Sequence, residues 1–154
     1  MKIRLLVVGK PRDAGAAALV ERYLERIRRF GVSVDTVRVP EVRAGGRFTD
    51  EHVLEREAAK LLARLEPPGT VVAIDRGGRE LSSAELPGKL ERWATPRATF
   101  VVGGPLGLHE TVRRRADFAW SLSRLTLPHE LALVLVAEQL YRGMTLLRGV
   151  PYHK

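Results

Sequence analysis

The chain contains no cysteine. That absence excludes disulfides, thiolate zinc sites, iron–sulfur clusters and cysteine nucleophiles. Long apolar runs are also missing. The longest, Leu131 to Ala137, falls far short of the ~18 residues that suggest a membrane span. The opening stretch from Met1 to Gly9 is too short for the apolar core of a secretory signal and reads directly as a strand. No internal repeat, linker or low-complexity segment breaks the 154 residues, a length that suits one domain with a real core. Three common signatures fail. No Gly-Lys-Ser/Thr follows the glycine loop at Gly103, the spacing there is not G-x-G-x-x-G, and Leu133 stands where a second zinc-binding histidine would follow His129-Glu130. The expectation is a cytoplasmic protein with no membrane partner and no metal.

What is present is an ordinary globular mixture, 45% hydrophobic and 29% charged. Lys plus Arg number 26 against 18 Asp plus Glu, a net charge of +8. This favours an anionic partner such as a nucleic acid. Arg22, Arg26 and Arg29 fall at four- and three-residue steps, so they share one helix face and form the better RNA-binding candidate. Arg113-Arg114-Arg115 is a second basic run, of the kind a solvated face explains.

Apolar runs alternate with helical patterns. Lys2 to Val8 is a strand. Asp13 can cap a helix to about Arg29, with Leu19, Tyr23, Leu24 and Ile27 as its stripe. Val32 to Val39 is a partly covered strand, and Pro40 to Phe48 a polar loop. Thr49 and Asp50 open a helix to about Leu65. Thr70 to Asp75 is a strand. Ser82 and Glu85 have capping-box spacing ahead of a short helix, in which Pro87-Gly88 sits awkwardly. Ala98 to Val102 is a fourth strand, Glu110 to Arg115 a short helix, Asp117 to Ser121 a fifth strand. Pro128 and His129 open a final helix to about Leu147. This alternation predicts a single α/β domain, residues 1–154, with a mostly parallel sheet covered by helices on both faces. In such sheets ligands bind beyond the strand C-termini, which selects the segments after Asp75, Val102 and Ser121.

Four motifs fall in or near those segments. Gly103-Gly104-Pro105-Leu106-Gly107 either cradles a ligand with backbone N–H groups or is simply a braced tight turn. Ser121 to Leu127 alternates hydroxyls with leucines before Pro128 starts the helix. His129 then lies in the first turn, where the helix dipole disfavours an imidazolium; it is a proton acceptor or a capping histidine. The last helix is apolar nearly all round from Leu131 to Ala137, which asks for cover on every side and suggests a subunit interface. It then carries Glu138 and Arg142 one turn apart, the spacing of an ion pair. The terminal Tyr152-His153-Lys154 combines stacking, proton transfer and a phosphate partner, or is a frayed end.

Taken together, Phe100 to Gly107, Ser121 to His129, Val136 to Arg142 and Pro151 to Lys154 resemble the bacterial large-subunit (23S) ribosomal RNA pseudouridine N3-methyltransferases of the SPOUT class (RlmH type). The resemblance spans the whole chain, including the opening strand that ends in Val-Gly-Lys. It implies a SPOUT fold with a C-terminal trefoil knot, a homodimer whose two subunits both contribute to the site, and S-adenosylmethionine as methyl donor. It also implies methyl transfer to N3 of a pseudouridine on the assembled ribosome. By position it assigns donor binding to Ile74, Asp75, Gly103, Gly104, Leu122, Ser123, Arg124, Leu125, Thr126 and Leu127. His129, Arg142, Tyr152 and His153 are the candidates for chemistry: His129 or the tail as proton acceptor or relay, Arg142 for charge stabilisation or phosphate contact. The chain departs from the family pattern at three places. Leu106 stands where an acidic or amide residue is usual, Leu133 where arginine is common, and Gly143 where alanine is usual. Alternatives are a non-catalytic RNA- or ribosome-binding protein of the same fold, and the same chemistry on another RNA.

Overall fold

The computed structural model describes residues 1–43 and 45–154; Ala44, within the predicted Pro40–Phe48 loop, lies outside them. Among the described residues, five strands and five helices alternate. They are β1 (Lys2–Val8), α1 (Ala14–Arg28), β2 (Ser33–Val39), α2 (Asp50–Leu62), β3 (Thr70–Glu80), α3 (Leu86–Trp93), β4 (Ala98–Val102), α4 (Glu110–Arg115), β5 (Phe118–Ser121) and α5 (His129–Leu147). The strands form one sheet in the order β2-β1-β4-β3-β5, and each neighbouring pair is parallel. All five strand C-termini therefore open at the same end of the sheet.

Alternation along each strand divides the interior in two. Ile3, Leu5 and Val7 of β1 join Val72, Phe100, Trp120 and the buried faces of α1, α3 and α5. Leu6 and Val8 face the other way, with Val71, Ala73, Val101 and residues of α2 and α4. A parallel sheet needs this cover, because neither face can be left to water. Phe100 is fully buried, with the rings of Trp93 and Trp120 each 6.2 Å from its own.

Local chemistry explains the helix starts. The Asp13 carboxylate accepts the Ala16 N–H at 2.7 Å, and the Thr49 hydroxyl accepts the His52 N–H at 3.3 Å, as N-caps do. Ser82 and Glu85 exchange the reciprocal bonds of a capping box. The helix proper begins only at Leu86, so Pro87 lies in its first turn, where a missing N–H is harmless. That resolves the awkward placement in the sequence. The stripe on α1 needs one correction. Val20, Leu24 and Ile27 are buried and Tyr23 packs against them, but Leu19 is exposed, because it falls on the outer side of the helix.

Strand β3 also runs further than its apolar residues suggest. Beyond Asp75 it continues through Arg76-Gly77-Gly78 to Glu80, and Arg79 and Glu80 pair with Trp120 and Ser121 after a register shift. Gly78 makes this possible, since a Cβ there would lie 2.5 Å from the Ala119 carbonyl oxygen. On α5, Gly143 has a comparable use: a Cβ would come within 3.2 Å of Leu90 on α3, so the glycine lets these helices approach closely. No helix among the described residues is long and apolar enough to cross a membrane.

Gly78→Ala should push β5 away from β3. The expected cost is about 1–3 kcal/mol, the usual range for overpacking. At this chain length that is a fall of several degrees in thermal midpoint, measurable by circular dichroism.

Candidate active site

Ile74, Asp75 and Arg76 of β3, together with the loops after β4 and β5, line a cleft of about 340 Å³. The β4 loop makes its floor. Gly107 donates its N–H to the Gly104 carbonyl at 3.0 Å, with Pro105 and Leu106 as the central residues of the turn. Gly107 has φ +85°, a conformation that glycine adopts without strain. Gly103 packs so closely on it that a Cβ would collide with the Gly107 carbonyl. The turn therefore leaves bare backbone facing the cleft.

The β5 loop forms the opposite wall. Ser121 Oγ donates to the Ser123 carbonyl at 3.1 Å, and Ser123 Oγ accepts the Leu125 N–H at 3.0 Å. Arg76, from the unexpected extension of β3, donates to Thr126 Oγ1 at 2.5 Å and ties that strand to the β5 loop. Asp75 faces Arg113 of α4 at 3.5 Å. His129, at the start of α5, closes one end.

Of the ten residues expected to hold a donor, nine line this cleft: Ile74, Asp75, Gly103, Gly104, Leu122, Ser123, Leu125, Thr126 and Leu127. Arg124 does not. It is exposed between Ser123 and Leu125, because neighbouring residues of an extended loop point to opposite sides and the charged one stays in water. The sequence reading missed Arg76, Leu108 and Arg113, which also line the cleft. Arg113 was legible only as one of three arginines in a basic run; its position on α4 beside the β3 end is tertiary.

The other candidates gather elsewhere. Tyr152 donates its hydroxyl to Glu138 Oε1 at 3.0 Å. Arg142 donates to the same oxygen through Nη2 at 2.6 Å and through Nε at 3.1 Å. The guanidinium also lies 4.7 Å over the Tyr152 ring, and Arg142 Nη1 is 3.3 Å from His153 Nδ1. Tyr141 meets Tyr152 edge-on at 4.8 Å. The tail is thus docked on α5 rather than frayed. Burial, with Tyr23 and Glu138 beside it, raises the Tyr152 phenol well above its ordinary pKa, so it stays protonated as a hydrogen-bond donor. The ion pair with Glu138 similarly raises Arg142.

Thirteen residues of helix separate His129 from Arg142, about 20 Å at the ordinary helical rise. One chain therefore places His129 with the cleft and Arg142, Tyr152 and His153 in a second cluster. The basic face of α1 borders that cluster: Arg22 and Arg29 are exposed, and Arg26 lies 5.5 Å from the Tyr141 ring centre.

Two carboxylates brace the site from behind. Glu130 accepts the Arg12 and Asp13 N–H groups at 2.7 and 3.1 Å. These bonds, that of Arg12 first, hold its carboxyl below the usual range and fasten the β1–α1 loop beside His129. Glu57 of α2 is buried and accepts the Val42 N–H at 3.0 Å. A Cβ on Gly104 would come within 3.4 Å of its Oε2, so this carboxyl supports the glycine turn from below. Burial raises its pKa, against the opposing hydrogen bond from Val42.

The family model described as "Predicted SPOUT methyltransferase" matches residues 1–153. The chain belongs to the SPOUT methyltransferase family. Membership sets the reaction class as methyl transfer and the donor as S-adenosylmethionine. A protein of Gemmatimonas aurantiaca named ribosomal RNA large subunit methyltransferase H is 42% identical, with 100% of each chain covered. Its namesake in Thioalkalivibrio sulfidiphilus is 39% identical over 100% of this chain and 99% of that one. Among solved structures, a probable methyltransferase from Bordetella pertussis superposes with a TM-score of 0.54 at 18% identity, over 92% of this chain and 95% of that one; it supports the fold. The residues of the cleft suit the family's donor. Bare glycine backbone, apolar walls from Val102, Leu108 and Leu122, and a few charged side chains are the lining that small-molecule sites of this size use.

Glu57→Gln tests the brace. A carboxyl whose folded pKa is raised contributes stability at low pH and loses it as pH rises through that folded value. The amide keeps the Val42 bond and has no such loss. Glu57→Gln should therefore melt a few degrees above the parent near pH 8, with the gain shrinking toward about pH 4, in a series of thermal melts.

Proposed function

We propose that the chain transfers a methyl group from S-adenosylmethionine to N3 of a pseudouridine in large-subunit ribosomal RNA, within the assembled ribosome and in the cytoplasm. The observation that carries this reading is the cleft itself, built from β3 and the β4 and β5 loops in a chain matching the family from residue 1 to 153. The names of its relatives supply the RNA, and the resemblance of the sequence motifs supplies the base and the atom. The same resemblance carries the C-terminal trefoil knot. The edge position of β5 and the return of α5 onto α1 and α3 are compatible with it.

Methyl transfer forms an N3–carbon bond and breaks a sulfur–carbon bond, and the N3 proton must leave. The bound donor supplies the electrophilic methyl. The protein's part is to hold both partners in line, exclude water and take the proton, and positioning of this kind contributes several kcal/mol. Gly103, Gly104 and the Leu122–Leu127 segment hold the donor. His129, at the cleft's end, is the proton acceptor assigned here. Tyr152 acts as a fixed donor and stacking surface, because its phenol stays protonated. Arg142, held by Glu138, presents its cation with His153 toward RNA, and the α1 arginines extend that surface.

Because these two groups lie about 20 Å apart along one helix, the reaction needs a second copy of the chain. In a homodimer, the tail cluster of one subunit meets the cleft of the other. Leu131 is 47% exposed and Leu125 73% exposed, and Val134 and Leu135 are half-buried. These apolar groups beside the cleft are the surface such a dimer would cover.

Calorimetry with S-adenosylmethionine is the first test: failure of the pure protein to bind it would sink the enzyme reading. A subunit mixture tests the composite site. His129→Ala and a chain lacking Tyr152 to Lys154 should each be inactive on ribosomes, as measured by radiolabelled methyl incorporation. Co-refolded together, they should regain about a quarter of parental activity, since half of randomly paired dimers are mixed and each mixed dimer keeps one intact site. No recovery, with both variants folded and dimeric, would place the whole site in one subunit.

A further inference from the structure

The charged residues that line the cleft do not all have the same kind of partner. Arg76 is committed to Thr126 at 2.5 Å. Arg113 faces Asp75 at 3.5 Å, longer than the roughly 2.7–2.9 Å of a charge-assisted hydrogen bond, and no hydrogen bond joins the two among the described residues. The Asp75 side chain is 20% exposed and that of Arg113 43%. Arg113 differs in this from Arg114, its neighbour on α4, which reaches back along the helix to Glu110 at 2.6 Å. Arg113 is thus a guanidinium held beside the cleft by charge, with its paired N–H groups still available. A guanidinium in this state accepts a carboxylate in the two-pronged geometry that a lysine cannot reproduce.

S-adenosylmethionine carries one carboxylate, on its amino-acid end, along with a positive sulfonium and an ammonium. The bare backbone of Gly103 and Gly104 and the leucine walls have no charge to read that end. Building on the methyl-transfer reading, we infer that Arg113 binds the donor's α-carboxylate, with Asp75 releasing the guanidinium and facing the donor's ammonium instead. The ion pair serves as a preset counter-charge: it keeps Arg113 at the cleft in the empty protein and exchanges one carboxylate for another when the donor enters. Arg113 is thereby a specificity residue for the amino-acid end of the donor, separate from the loops that hold the adenosine.

The test is a binding cycle by calorimetry, using S-adenosylmethionine and its decarboxylated analogue, which keeps the adenosine, sulfonium and amine but lacks the carboxylate. The parent protein should bind the intact donor about tenfold more tightly than the analogue, the size of one hydrogen-bonded charge pair at a partly exposed site. Arg113→Ala should bind both with the same affinity, and Arg113→Lys should recover only part of the preference. Arg114→Ala, which removes the same charge from the same helix, should behave as the parent does. A parent protein that binds the analogue as tightly as the donor, or an Arg113→Ala variant that keeps the full preference, would overturn the inference while leaving the methyl-transfer reading intact. An Arg113→Ala variant that weakens both ligands equally would overturn it too, because the side chain would then support the cleft rather than read the carboxylate. Absence of donor binding by the parent would be failure of the underlying reading.

Discussion

Everything in this molecule follows from a parallel sheet that must be buried on both faces. Alternating side chains of β1 feed two cores, and helices cover both. Neither face of the sheet is left for a ligand. What remains open is the edge where all five strands end, and there the chain turns from strand to helix through backbone that the core does not consume. The cleft lies at that edge, where bare glycine backbone and nearby helix starts come together.

Charge placement follows the same division. At the strand starts, Arg4 and Arg97 are tied to Asp35 and Glu66, which closes that end with paired groups. At the strand ends, several charged groups are held to hold something else. Glu57 supports a glycine turn and Glu130 anchors a loop beside His129; further along α5, away from the strand ends, Glu138 gathers Tyr152, Arg142 and Gln139 around one carboxylate. Each carboxylate spends its lone pairs on orientation. Among the residues so oriented are Tyr152 and Arg142, to which the proposed function gives a role.

Much of the fold was legible because its signals are local. The bounds of β4, α4 and α5 follow from apolar runs framed by glycine, Glu110 and Pro128-His129, and the caps at Asp13 and Thr49 act as their side chains dictate. The failures share a cause as well. The strand read as Thr70 to Asp75 continues to Glu80, and Gly78 permits it, because the advantage lies in the approach of Ala119 on another strand. Leu19 fits a helical stripe but faces water, since the position of α1 on the sheet decides which side is covered. Arg124 belongs to a loop of donor-binding pattern but points away from it. Leu133, where the family commonly has arginine, is buried against the sheet. Contacts between distant segments carry no local signature, so the partners of Arg76, Arg113 and Tyr152 emerge only from the fold.

The length of α5 is the last constraint, and it bears on the proposed dimer. A helix of nineteen residues is long enough to cross the sheet and bury Val136, Ala137, Leu140 and Met144 beneath it. A shorter one would leave that core open. The same length carries the tail cluster to the far end from His129, so the helix cannot both complete the core and fold its own tail back onto its own cleft. The proposed dimer would remove the conflict, because each long helix would bring its tail to its partner's cleft while still covering its own sheet. The exposed Leu131 and half-buried Leu135 are what a helix shared between a core and a partner would present, and in the proposed dimer the pairing follows from how the sheet is covered.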